Sequence, residues 1–215
     1  MNVKLVSLTS TRIDGINTAE ELIVHNARAS SPDNQLKTET GARLLRYCMQ
    51  HGHWSVFEQA SMGVEIVTSR AISAQILRHR SFHFQEFSQR YAEVTEFEPF
   101  ELRKQAQKNR QSSSEQYTDR DHEYSIRRMI GGAEALYRDL LDAGVAKECA
   151  RMVLPMCTQT RVYMTGTVRD WIHYLNLRLK EDTQKEHREI AEKILEIFIK
   201  EFPQIAECLR MEDTK

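Results

Sequence analysis

The chain has 215 residues and sets 30 Lys+Arg against 31 Asp+Glu, for a formal net charge of -1. That length suits one domain, or one domain with a helical extension, and it can bury a sizeable core. The balanced charge excludes a polybasic coat for nucleic acid or membrane, so any anion site must be local.

Val3–Leu8 alternates and is rich in β-branched residues, which predicts a strand. A helix follows Thr18, whose spacing to Glu21 fits a capping box, with Leu22 and Ile23 on its apolar face. Ser30–Asn34 is expected as a loop. A second helix spans Glu39–His51, with Leu44, Leu45 and Cys48 inward and Gly52 as its stop. Met62–Thr68 reads as a half-buried strand. Ser69 then opens a helical pattern through Ile72, Ile76 and Leu77 that delivers Arg78 at its end.

Ser81–Phe87 loses helical period and is expected as a structured loop, and polar Glu93–Ser114 as a mobile surface segment. A long helix is predicted over Glu115–Ala143, before Gly144, and a short one over Lys147–Val153, stopped by Pro155. Thr158–Thr165 is strand-like. Thr167 and Asp170 cap a helix to about Leu179. The last helix starts at Thr183 with Glu186 as its capping-box partner. It turns Ile190, Ile194, Leu195, Ile197 and Phe198 inward and ends near Pro203. The pattern predicts an α+β fold: one helix-rich domain over 1–215 around a small central sheet, with a helical extension.

Cys48, Cys149, Cys157 and Cys208 lack paired spacing and read as free thiols in a reducing compartment. Neither a signal peptide nor a membrane span is evident, so a soluble, cytoplasmic protein is expected. Cys48, His51 and His53 lack a fourth ligand and the spacing of a structural zinc site, so no metal is assigned.

The chemistry concentrates in arginines. Arg178 falls in the apolar arc of Trp171, Tyr174 and Leu175, where a charge that cannot be lost needs an outlet. It snorkels past the helix end, meets a buried carboxylate, or meets a ligand that becomes anionic. Arg151 suits a helix C-terminus without any function.

Arg78, His79, Arg80 and Arg90 are interleaved with Phe82, Phe84, Phe87 and Tyr91. Guanidinium groups bind phosphate bidentately and rings stack on flat ligands, so a nucleotide-like site and a structural salt-bridge loop both remain open. Glu86 suits a ribose hydroxyl or the ordering of an arginine. An RNA-binding module is the rival from another class, disfavoured by the neutral charge. G-x-G-x-x-G after a strand, the P-loop and the G-x-S-x-G elbow are all absent from the sequence.

Arg78-His79-Arg80, seven residues, then Ser88 resembles the hallmark of the flavin-dependent thymidylate synthases. HGHWSVFEQ (51–59), ARMVLP, TQTRVYMTGT and WIHYLNLR are similar to further segments of that family, in the same order. The resemblance implies a homotetramer with FAD sites at subunit contacts. It also implies methylation of dUMP to dTMP, with 5,10-methylenetetrahydrofolate as carbon donor, NADPH as reductant, and no cysteine nucleophile. Polynucleotide and membrane partners are not implied.

By the same resemblance, Ser55, Glu58, Arg78, His79, Arg80, Glu86, Thr167, Arg169 and His173 match flavin-contacting positions. Gln75, Arg78, Glu86, Phe87, Ser88, Gln89, Arg90, Arg151 and Arg178 match substrate-binding positions. Arg178 matches the catalytic arginine that stabilises negative charge on the uracil ring. His83, Gln85, Thr167 and His173 differ from residues common in the family.

Overall fold

A computed structural model describes residues 1–94 and 96–212. It is about 49% helical with a small antiparallel sheet, so the α+β expectation holds. The chain divides into two compact units. One contains Met1, Val67–Arg78 and Gln85–Val162; the other contains Asn2–Ile66, His79–Phe84 and Tyr163–Lys215. They are called here the α4 unit and the α6 unit, after helices α4 (Arg120–Asp142) and α6 (Val168–Arg178).

Four strands, β1 (Asn2–Leu8), β2 (Ser61–Ser69), β3 (His83–Glu86) and β6 (Gln159–Thr167), form a sheet in the order β1-β2-β6-β3. In the α6 unit, Thr9 N donates to Ser61 O at 3.0 Å and Val168 N to Ala60 O at 2.9 Å. The start of β2 therefore lies beside the ends of both β1 and β6, the arrangement of antiparallel neighbours. A Cβ built on Gly166 would lie 2.6 Å from the Phe82 ring, so glycine there admits the aromatic side chain.

Also in the α6 unit, α1 (Ala19–Ala27) starts at the predicted capping box: Glu21 N donates to Thr18 Oγ1 at 3.1 Å, and Thr18 N to Glu21 Oε2 at 3.1 Å. A 3-10 turn at Pro32–Asn34 occupies the expected loop, and another at Thr38–Thr40 precedes α2 (Gly41–Gln50). The second predicted helix is thus shorter at its start. Leu45, Cys48 and Met49 are its buried stripe, and Gly52 ends it with φ +69°. A further 3-10 turn covers Trp54–Glu58.

Helix α6 starts at Thr167, with the expected Asp170 box. It buries Val168, Trp171, Ile172, Tyr174 and Leu175, while Trp171 Nε1 donates to Met62 O at 2.9 Å. Helix α7 (Lys185–Glu201) buries Ile190, Ala191, Ile194 and Phe198. Leu195 and Ile197, expected inward, are only half-buried. The box expected at Thr183 does not form: Gln184 is the N-cap, and the Thr183 hydroxyl donates to Leu177 O at 3.3 Å. Pro203 ends one helix and opens another, α8 (Pro203–Glu212), because proline suits a first helical turn.

In the α4 unit, Ser69 caps α3 (Arg70–Ile76) by accepting from Ile72 N at 3.3 Å. One expectation is corrected here. Within Ser81–Phe87, His83–Glu86 is not loop but strand β3, and Phe87 N donates to Arg161 O at 2.8 Å. Its period is the alternation of exposed His83 and Gln85 with half-buried Phe84 and Glu86. Among the described residues, the polar segment expected as mobile carries β4 (Arg103–Gln105), antiparallel to β5 (Ser113–Gln116).

The helix expected from Glu115 begins only at Arg120, where Asp119 accepts from Asp121 N and His122 N. A carboxylate cap before the first turn outcompetes the helix-forming Glu115 and Gln116, which pair in the hairpin. Gly144 follows α4 with φ +80°. Helix α5 (Lys147–Ala150) and a 3-10 turn at Arg151–Val153 fill the predicted short helix.

Candidate functional site

Within the α4 unit, Glu86 is a hub at the end of β3. Its Oε1 accepts from the Ser73 hydroxyl at 2.5 Å and the Thr160 hydroxyl at 3.1 Å, and its Oε2 pairs with Arg70 at 2.9 Å. Arg70 also donates to Phe87 O at 2.9 Å. Both carboxylate oxygens are therefore already engaged in ordering the strand that leads into Phe87, Ser88 and Gln89. Of the two roles open to Glu86, ordering an arginine is the one seen. The arginine is Arg70, which sequence reasoning missed because the pair joins separate elements.

After β3 the chain turns: Tyr91 N and Ala92 N both donate to Ser88 O, at 3.1 and 3.0 Å. Gln89 is 7% exposed and its Nε2 is buried with no hydrogen-bond partner among the described residues. Such an amide costs free energy unless something accepts its hydrogen bonds. Glu148 on α5 brings two predicted arginines together. Arg90 pairs with its carboxylate at 3.0 Å, and Arg151 Nε donates to its carbonyl at 3.3 Å. The latter is the helix-terminal contact that needs no ligand. Gln75 is half-buried on α3, and Arg78 follows in the open.

Within the α6 unit, the Trp54–Glu58 turn packs with α6. Arg169 pairs with Glu58, and the rings of Trp54 and His173 are 4.6 Å apart. Burial, helped by the Arg169 cation and opposed by Asp170, lowers the His173 pKa below the ordinary histidine value. The Thr167 hydroxyl donates to Asp170 Oδ2 at 2.6 Å, so its capping role is already filled. Ser55 and Arg80 are exposed, and neither Arg78 nor Arg80 has a carboxylate partner among the described residues. Tyr47 stacks on His51 at 4.0 Å and meets His53 edge-on at 5.8 Å, a cluster of rings beside buried Cys48.

Arg178 resolves more sharply. Its Nε donates to His79 Nε2 at 2.9 Å, and among the described residues no carboxylate pairs with it. Accepting that bond requires a lone pair on Nε2, so the neutral His79 ring carries its proton on Nδ1. Burial first, then the Arg178 charge, pushes the His79 pKa down to about 4, which keeps the ring neutral near pH 7. The guanidinium is oriented, but its charge is not cancelled.

The α6 unit thus holds Arg178, a cation with no carboxylate partner among the described residues, together with the exposed Arg80 guanidinium and the Trp54–His173 ring contact, groups suited to an anionic aromatic ligand. A sequence model of the family described as thymidylate synthase complementing protein matches residues 11–204, and the chain belongs to that family.

Its curated relatives carry the more specific description. A probable flavin-dependent thymidylate synthase of Paramecium bursaria Chlorella virus 1 is 51% identical, over 97% of this chain and 99% of its own. A flavin-dependent thymidylate synthase of Synechocystis sp. is 47% identical with the same coverage. The UMP/dUMP methylase PolB of Streptomyces cacaoi, solved with 5-Br dUMP, superposes with a TM-score of 0.82 at 27% identity. The match covers 98% of this chain and 94% of that one.

Proposed function

We propose that this chain methylates dUMP to dTMP reductively, with carbon from 5,10-methylenetetrahydrofolate and reducing equivalents from NADPH through FAD. The observation that supports it most is the Arg178 cation, held by a neutral imidazole at 2.9 Å rather than by a carboxylate. A uracil ring under attack accumulates negative charge, and a preorganised cation stabilises that charge without reorganising.

The donor set fits a flavin dinucleotide. Arg78 and Arg80 have no carboxylate partner among the described residues and suit a diphosphate, while the Trp54–His173 ring pair suits a flat ring system. Arg169, Glu58 and Ser55 would complete that set. Bound FAD, once reduced, supplies hydride. Arg90 and Arg151 would meet the dUMP phosphate, and the buried Gln89 Nε2, without a partner among the described residues, would find its acceptor in the nucleotide or in a loop rearranged around it.

Residues 1–215 acting as one catalytic domain, intracellular and homotetrameric with sites at subunit interfaces, belong to the same proposal. Exposed Tyr124, Met129 and Leu136 on α4 support assembly, since another copy would cover them. Among the described residues no helix is long and apolar enough to cross a membrane.

The test is a visible spectrum of the purified protein, followed by anaerobic NADPH with and without dUMP. A flavin band that bleaches, at a rate that depends on dUMP, is expected; a protein that stays colourless in added FAD refutes the reading. Arg178→Ala should keep the flavin band and lose roughly 10²–10³-fold in dTMP formation. Parental turnover in that variant would remove the role given to Arg178.

A further inference from the structure

The α6 unit contains a polar pair, Tyr174 and His187, that has no role in the site described above. His187 of α7 is fully buried at 0% exposure, and Tyr174 of α6 is 1% exposed. His187 Nε2 and the Tyr174 hydroxyl lie 3.1 Å apart. His79 presents its ring edge-on to Tyr174, at a centroid distance of 4.9 Å and 66°, and nearly perpendicular to His187 at 6.1 Å and 88°. The His79 atom that accepts from Arg178 is Nε2.

We propose that Tyr174 and His187 are positioning residues: together they fix the His79 ring as the acceptor of the Arg178 Nε–H, so that the guanidinium is aimed without being neutralised. This inference rests on the reading of Arg178 as the group that meets developing negative charge on the substrate.

The chemistry of the alternatives supports the arrangement. A carboxylate in place of His79 would orient Arg178 more strongly but would spend its charge in an ion pair. Water would leave the charge free but would not hold one direction. A neutral imidazole does both, provided its ring does not rotate and does not gain a second proton. Rotation is opposed by the Tyr174 ring, one helical turn before Arg178 on the same face of α6. Tyr174 is held in turn through its hydroxyl by His187, across the packing of α7.

Protonation is opposed by the surroundings. The groups facing His79 are Arg178 and Tyr174 of α6, His187 of α7, and Phe82 of its own segment. None of these is a carboxylate, so nothing there rewards an imidazolium. Burial, reinforced by Arg178 and His79, lowers His187 to about 3, so it too stays neutral. A buried, hydrogen-bonded His–Tyr pair is a costly choice where an apolar pair would pack, and an orienting role accounts for that cost.

The experiment uses the flavin-loaded enzyme labelled with ¹⁵N-histidine, in parental, Tyr174→Phe, His187→Leu and His187→Gln forms. Long-range ¹H–¹⁵N spectra report the His79 tautomer, and steady-state dTMP formation gives kcat and KM separately. The parent should show His79 protonated on Nδ1 alone. In Y174F and H187L that signature should average between tautomers, with kcat down roughly tenfold or more and KM for dUMP within about twofold. Misplacing a catalytic group by about 1 Å can cost up to ~10²-fold. H187Q, which can still bond the Tyr174 hydroxyl, should restore both readouts.

An unchanged His79 signature in both Y174F and H187L overturns the proposal, whatever their turnover. If the parent makes no dTMP, the functional reading fails, while the tautomer signatures still decide whether the pair positions His79.

Discussion

Glu20 offers a quantitative test of the fold. It is 3% exposed on α1, and its Oε1 accepts from Ile205 N at 2.9 Å, in the first turn of α8. Burial raises its pKa from 4.5 to about 7; the Ile205 and Gln204 N–H groups oppose that rise and Glu21 adds slightly to it. A carboxyl whose folded pKa is raised makes its full contribution below the unfolded value, and that contribution is lost as pH climbs towards the folded value. The window here runs from about 4.5 to about 7.

The shift corresponds to about 3 kcal/mol once the group is ionised in both states. Glu20→Gln removes the ionisation and keeps an oxygen for Ile205. Urea unfolding of parent and variant should therefore diverge with pH, the variant gaining roughly 2–3 kcal/mol on the parent between pH 5 and pH 8. The pH dependence of the difference is decisive, because any fixed packing effect of the amide cancels between the two pH values. A difference that stays constant from pH 5 to pH 8 would refute the buried, proton-retaining carboxyl.

Arg90→Ala should separate binding from stability. The Arg90–Glu148 pair has side chains 66% and 53% exposed, and such pairs contribute little to folding, so the variant should unfold within about 1 kcal/mol of the parent. If the guanidinium meets a desolvated phosphate, dUMP affinity should still fall by roughly 2–5 kcal/mol in titration calorimetry, and an unchanged affinity counts against that contact. Glu86→Ala, which releases Arg70 and two hydroxyls, should cost roughly 1–3 kcal/mol in urea unfolding. It should also speed hydrogen exchange at Phe87 N; full protection there would mean that the hub does not order the strand.

Local signals were the most legible part of the fold. The boxes at Thr18 and Thr167 form because side chain and backbone satisfy each other within one turn, and the Ser69 cap likewise needs no tertiary partner. The box at Thr183 fails because its hydroxyl turns back to Leu177 O instead. Strand β3 was hidden for another reason. Four residues with two aromatic side chains give a weak period, and what makes His83–Glu86 a strand is its hydrogen-bonded neighbour β6, which lies far along the chain.

The same division explains the site. Arg178 was conspicuous because an unlosable charge on an apolar arc demands an explanation, and the sequence left three open. Its hydrogen-bond partner is His79, 99 positions earlier in the chain but in the same unit, a ring that also stands among the arginines of the RHR stretch. The two puzzles were therefore one: the histidine between Arg78 and Arg80 serves Arg178. Tyr174 and His187 gave no such signal, since a tyrosine on a core face and a histidine near a helix start are ordinary. Only the packed geometry joins them to a guanidinium, and the join has a chemical purpose because no carboxylate among the described residues pairs with Arg178. An ion pair would have made Arg178 a structural residue; a neutral ring keeps its charge available for chemistry.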